Sequence, residues 1–196
     1  MSDDEHEHHE CGSGALVPPP SAMAKVPEKA TSVGELLNTL LRLQGRRREA
    51  YGMLEDALDS VLLPLGDPER TSGTSYMRVV GEVTSLFAVL SNAVRNIEAK
   101  FRGSGDEELA DADLADLVRR IQQVERDKLV IVSAVHALKV QIEDRARHET
   151  TAQDGVIVDV AAMEARLHEQ STVLGSILTD HADLMQELQI ELQDRS

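Results

Sequence analysis

Hydrophobic positions along this chain recur at helical spacing through most of its length, and they resolve into separate stripes. The first runs through Val33, Leu36, Leu37, Leu40, Leu43, Leu54, Ala57, Leu58, Val61 and Leu62. Ser32 and Glu35 at its head form an S-x-x-E capping box. Pro64, Gly66 and Pro68 end it, since proline lacks an N–H and clashes with the preceding turn. The second stripe is Tyr76, Val79, Val80, Val83, Leu86, Phe87, Leu90, Val94, Ile97 and Phe101, stopped by Gly103-Ser104-Gly105. The third, capped by Asp111 or Asp113, is Leu114, Leu117, Val118, Ile121, Val124, Leu129, Val132, Val135, Leu138 and Ile142. No breaker interrupts it before His148, so at 1.5 Å rise per residue it spans roughly 50 Å.

The last stripe differs in kind. Val160, Leu167, Leu174, His181 and Leu188 repeat every seven residues, with Met163, Gln170, Ile177, Leu184 and Glu191 three places later. Gln170, His181 and Glu191 interrupt this seam with polar groups, which weaken a self-pairing zipper but can set register or choose a partner. A helix folding back on the third would show nearly the same stripe, so periodicity leaves a free seam and a docked one both open. The expected fold is therefore all-α: an antiparallel three-helix bundle plus a C-terminal heptad-repeat helix, four long helices in all. The bundle helices are expected at 32–64, 74–102 and 111–148. Residues 1–31, with an acidic His-rich start and the run Pro18-Pro19-Pro20, read as a disordered tail. Residues 149–196 read as a linker and a coiled-coil-like helix, with a turn over 150–155 and a short extended piece at Val156 to Val158.

Composition sharpens this. There is no Trp and only 2% of residues are aromatic, against 41% hydrophobic. Aromatics supply much of the core of compact sandwiches and α/β enzymes, whereas an aliphatic core suits helices packed along their lengths. Charge is unevenly spread over the net −15: residues 1–31 carry −4, residues 32–148 carry −3, and residues 149–196 carry −8. Such a surface repels a phosphate backbone, so direct nucleic-acid binding is expected to be weak or absent, with a local patch still possible in the near-neutral middle. The single Cys11 fits a reducing compartment, no run approaches 20 apolar residues, and the acidic start is no secretory signal. An intracellular location, nuclear or cytoplasmic, without membrane attachment is the expectation.

Candidate chemistry is sparse. His6, His8 and His9 with Cys11 match no zinc spacing and lie in a segment with no predicted structure, so they read as a solvated tail. His136, His148, His168 and His181 are scattered, and phosphate-loop, dinucleotide and nucleophile-elbow motifs are missing. No catalytic residue, cofactor or metal is expected. Arg42, Arg46, Arg47 and Arg48, and Arg119, Arg120, Arg126 and Lys128, form two basic clusters. Pairing with carboxylates across helices is favoured over a phosphate-contacting patch, because the surrounding charge is not basic.

Three stretches carry a resemblance. Leu40-Leu41-Arg42-Leu43-Gln44 with Arg47 and Tyr51 is similar to an opening L-x-L-Q-x-x-R-x-x-x-Y motif. Val83-Thr84-x-x-Phe87 with Ser91 resembles a middle segment, and Leu117 to Gln122 with Glu125, Lys128 and Leu129 resembles a closing one. Together, over about residues 36–142, they resemble the DNA-repair "required for excision" B-type domain family. The resemblance implies a role connected with excision repair and supplies no catalytic residue. Its motif positions here are Gln44, Arg47, Tyr51, Phe87, Gln122, Glu125 and Lys128. Gly45 and Gly52 depart from a stable helix at ~1 kcal/mol each relative to Ala.

Gln44, Arg47 and Tyr51 share one helical face, as do Gln122, Glu125 and Lys128, so the two faces are expected to meet with Arg47 or Tyr51 against Glu125. The resulting reading is a non-catalytic helical adaptor linked by resemblance to excision repair, with protein partners of unknown identity. Its C-terminal helix offers a candidate partner seam (Val160, Leu167, Leu174, His181, Leu188) for homo- or hetero-oligomers. The alternative is a structural coiled-coil component of a cytoskeletal, ciliary or other large assembly.

Overall fold

The computed structural model describes residues 32–64, 66–104, 107–149 and 160–195. The acidic His-rich tail expected over 1–31 and the turn and extended piece expected over 150–158 lie outside them. Among the described residues there are four long helices, α1 (Val33–Leu62), α2 (Gly73–Phe101), α3 (Ala112–Glu149) and α4 (Val160–Asp194), with a 3-10 turn at Glu107–Leu109. The described residues contain no strand, so the fold is all-α.

Local chemistry sets the ends. Ser32 Oγ accepts from the Glu35 N–H at 3.2 Å and caps α1, and Ser72 does the same for α2 through the Ser75 N–H. Asp111, not Asp113, caps α3, its Oδ1 accepting from the Leu114 N–H at 3.0 Å. α2 closes on Gly103, whose φ of +82° only glycine adopts without strain; the Ser104 N–H reaches Ala99 O and the Gly103 N–H reaches Lys100 O. In the middle of α1, Gly45 and Gly52 face open space, so nothing in the packing requires their missing side chains.

Successive helices run antiparallel. Arg47 meets Ser91, Arg102 meets Asp116, and Arg120 meets Glu187, which fixes α1 against α2, α2 against α3 and α3 against α4. One core joins all four: Leu36, Leu37, Leu40 and Leu43 of α1, Leu90, Val94 and Ile97 of α2, Leu114, Leu117, Val118 and Ile121 of α3, and Leu184 and Leu188 of α4. The bundle therefore has four helices at this level, where a three-helix core had been expected. The heptad seam supplies the fourth: Leu188 is fully buried, His181 is half-buried against Glu125, and the opposing Arg195–Asp111 pair ties the end of α4 to the start of α3. Farther toward the start of α4, Val160, Leu167 and Leu174 stay half-buried and lie outside the core. The seam is thus docked intramolecularly in its last turns and only partly covered in its first ones. An apolar stripe with a heptad period finds the same aliphatic complement on its own α3 that a second chain would offer.

α2 is long and apolar enough by length and composition to cross a membrane. Its apolar stripe is spent on the bundle, where Val83, Leu86, Phe87, Leu90, Val94, Ile97 and Phe101 are buried.

Candidate functional site: a buried polar cluster and its cavity

The α1 face bearing Arg47 and Tyr51 and the α3 face bearing Glu125 and Lys128 meet inside the bundle. Arg47, with 3% of its surface exposed, and Glu125, with 6%, are among the few charged side chains in this core. An isolated buried charge costs several kcal/mol, so such groups persist only where partners surround them. Here the partners come from four helices. The Tyr51 hydroxyl donates to Glu125 at 3.4 Å, and Tyr51 packs its ring against Phe87 at 4.9 Å between centroids. The Lys128 ammonium sits 3.9 Å above the Tyr51 ring and 3.9 Å from the Glu125 carboxylate. From α4, His181 Nε2 reaches Glu125 Oε1 at 2.7 Å. From α2, Ser91 Oγ accepts from Arg47 Nη2 at 2.9 Å.

These neighbours set the ionisation of the cluster. Burial by itself pushes the Glu125 carboxyl up, but the His181 hydrogen bond and the charges of Lys128, Arg47 and His181 outweigh it and hold the group below its ordinary value. Burial, aided by the Glu125 carboxylate, pushes the Tyr51 phenol far above its usual range, so it stays a neutral donor. Burial also lowers Arg47 and Lys128 against the attraction of Glu125. The cluster sets the Glu125 carboxylate between the Arg47 guanidinium and the Lys128 ammonium, with the His181 imidazole beside it.

Beside it lies a cavity of about 330 Å³, lined among others by Arg47, Tyr51, Phe87, Ser91, Gln122 and Glu125, with Asn92, Arg95 and Arg126 also on its wall. Arg47 Nη1 is buried without a hydrogen-bond partner. Gln44, one turn earlier on α1, is 6% exposed and both its amide atoms lack partners. Among the described residues no group of His, Cys, Asp and Glu side chains is placed to hold a metal ion.

The expected motif positions therefore converge: five line one cavity, Lys128 stacks over Tyr51, and Gln44 stands one turn away. The seam residue His181 joins them, while Val160, Leu167 and Leu174 do not. The basic clusters split. Arg46 pairs with Glu49 on its own helix at 2.7 Å, Arg42 donates to Thr39, and Arg120 crosses to Glu187. Sequence reasoning missed a second polar chain: Tyr76 Oη lies 3.1 Å from His136 Nδ1, and His136 Nε2 lies 3.0 Å from Glu55 Oε1. Only the low 3% exposure of His136 marks it, and that depends on how α1, α2 and α3 pack.

The family description DNA repair REX1-B matches residues 35–139, which is the stretch that builds α1, α2 and most of α3. The chain belongs to the DNA repair REX1-B family. REX1-B relatives include a Required for excision 1-B domain-containing protein from Bos taurus, 31% identical over 130 residues, covering 62% of this chain and 68% of that one. The corresponding protein of Mus musculus is 30% identical over 106 residues, covering 54% of this chain and 59% of that one. Heterochromatin silencing protein rss1 of Schizosaccharomyces pombe is 28% identical over 150 residues, covering 76% of this chain and 97% of its own length. No solved structure matches the chain. The REX1-B match covers Arg47, Tyr51, Ser91, Glu125 and Lys128 of the cluster, and His181 on α4 lies beyond it.

Proposed function

We propose that this chain is a non-catalytic helical adaptor that acts in the nucleus, in DNA excision repair. The observation that carries this reading is the convergence of the family-motif residues on the interior. Tyr51, Glu125 and Lys128 are engaged mainly with one another and join α1 to α3, while Arg47 donates to Ser91 and joins α1 to α2. Groups used this way fix the shape of a scaffold, so the rigid outer faces of the bundle are what a larger assembly would contact. The family description and the bovine and mouse relatives support the repair connection. A second reading, heterochromatin silencing, is favoured by the yeast relative, whose match runs nearly its whole length and beyond the family stretch.

The test is genetic replacement. Cells lacking the gene are given back the wild-type chain or none, and two quantities are read: removal of ultraviolet photoproducts from DNA, and expression of a reporter placed in heterochromatin. Slow photoproduct removal with a silent reporter supports the repair reading. A derepressed reporter with normal removal supports silencing, and no change in either overturns both.

A further inference from the structure

The cavity beside the buried cluster has features that the adaptor reading does not use. Arg47 is almost fully enclosed, yet it spends Nη2 on Ser91 and leaves Nη1 buried without a partner. An unmade hydrogen bond on a buried guanidinium is expensive, and native structures seldom leave one without a reason. The opening holds about 330 Å³, at the lower end of the size range of small-molecule sites. Three arginines stand on its wall, Arg47, Arg95 and Arg126, against the single carboxylate of Glu125, which leaves two positive charges in a chain of net −15.

The neutral groups complement those charges. Ser91 Oγ accepts from Arg47 and so keeps its own O–H to donate. Asn92 Oδ1 accepts from Arg95 and keeps its amide N–H groups. Tyr51, Phe87 and Leu129 supply an apolar wall on the same cavity. The arrangement offers cationic forks and neutral donors on one side and rings on the other.

We propose that this cavity binds a phosphate monoester carried on a small aromatic or otherwise flat body. The charge decides between oxyanions: a monoester carries about −1.5 to −2 at neutral pH and suits a lining of three arginines and one carboxylate, whereas a carboxylate carries about half that. Arginine is also the side chain whose planar fork fits phosphate oxygens two at a time. An opening of about 330 Å³ excludes a duplex and admits a monoester on a single ring. This inference stands apart from the repair reading, since the bundle could serve as an adaptor with the cavity empty or filled.

Isothermal titration calorimetry on the full chain tests it, with phenyl phosphate, inorganic phosphate and benzoate as the probes. Phenyl phosphate should bind with the highest affinity, inorganic phosphate less well for want of the rings, and benzoate least. Arg95→Ala and Arg126→Ala should each weaken phenyl phosphate by about two- to fivefold, the range of exposed ion pairs. Both side chains are exposed, so neither change should alter the melting temperature of the free protein. Arg47→Lys, which keeps the charge and loses the fork, should weaken it further, and circular dichroism checks that this variant is folded. Absence of phenyl phosphate binding to the folded wild-type chain overturns the proposal. So does benzoate binding as tightly as phenyl phosphate, or undiminished binding to both exposed arginine variants.

Discussion

At the scale of single residues, Glu125 is the group on which the interior depends. Its carboxylate accepts from Tyr51, pairs with His181 and Lys128 and attracts Arg47, so four side chains are affected together when it changes. Glu125→Gln keeps the shape and removes the charge. We expect it to lower stability by about 1.5–3 kcal/mol, the range for a hydrogen bond to a charged group, read as a fall in the urea midpoint at neutral pH. An unchanged midpoint would mean that the four partners gain nothing from the charge. The pH dependence follows from the direction of the shift. Folding holds the Glu125 carboxyl below its ordinary value of 4.5, so between the two values the unfolded chain binds more protons than the folded one. Its contribution is therefore present above 4.5 and is lost as pH falls through the folded value. Tyr51 faces this carboxylate from α1 as a neutral donor, and Arg47 and Lys128 face it from α1 and α3 as cations. The difference in stability between wild type and Glu125→Gln should then shrink on acidification. A gap that stays constant from neutral pH to pH 3, with the proton range set by ordinary carboxylates, would contradict the assignment.

At the scale of helices, α4 is two things in one element. Its last turns bury Leu184 and Leu188 in the common core, while Leu167 and Leu174 rest half-covered outside it. Leu188→Ala should cost about 2–5 kcal/mol, the range for emptying a fully buried leucine site. Leu174→Ala should cost far less, because part of that side chain is already in water and little cavity forms. Amide exchange of the two chain segments gives a second measurement: residues 160–177 should exchange through local opening well before residues 181–192. Equal costs and equal protection would show that α4 docks uniformly along its length. The helices themselves were legible in the sequence. Expected spans of 32–64, 74–102 and 111–148 lie within two residues of α1, α2 and α3, because apolar period, Ser caps and Pro or Gly stops all act locally. The sequence offered Arg47 or Tyr51 as the partner of Glu125, and of the two it is Tyr51 that donates to it while Arg47 turns to Ser91. The His181–Glu125 contact was not legible. It needs the register of α4 on α3, and a heptad seam tolerates shifts of a whole repeat until pairs such as Arg195–Asp111 and Arg120–Glu187 choose one. The cavity was hidden for the same reason, its wall being drawn from three helices whose Ser91, Asn92, Arg95 and Arg126 share no sequence pattern.

At the scale of the whole molecule, the docked seam bears on oligomeric state. A heptad helix with a free seam needs a second chain, because its apolar stripe would otherwise face water. Here α3 and the core take the last turns of that stripe and half-cover the first, and the large apolar side chains that α4 leaves exposed are Val173, Leu178 and Ile190, at 40%, 45% and 48% and spread along the helix. A stable pairing of two copies buries on the order of 1,600 Å² with a continuous apolar centre, which three scattered side chains do not provide. Charge works in the same direction, since two copies would each bring a net −15 to the contact. We therefore expect the full chain to sediment as a monomer of 21.5 kDa at micromolar concentration. Leu174→Asp should leave that mass unchanged while loosening only the outer part of α4. A dimer in the wild type that Leu174→Asp dissociates would mean that α4 leaves α3 to pair with another copy. In that case the seam, not the bundle interior, would be the working surface of this protein.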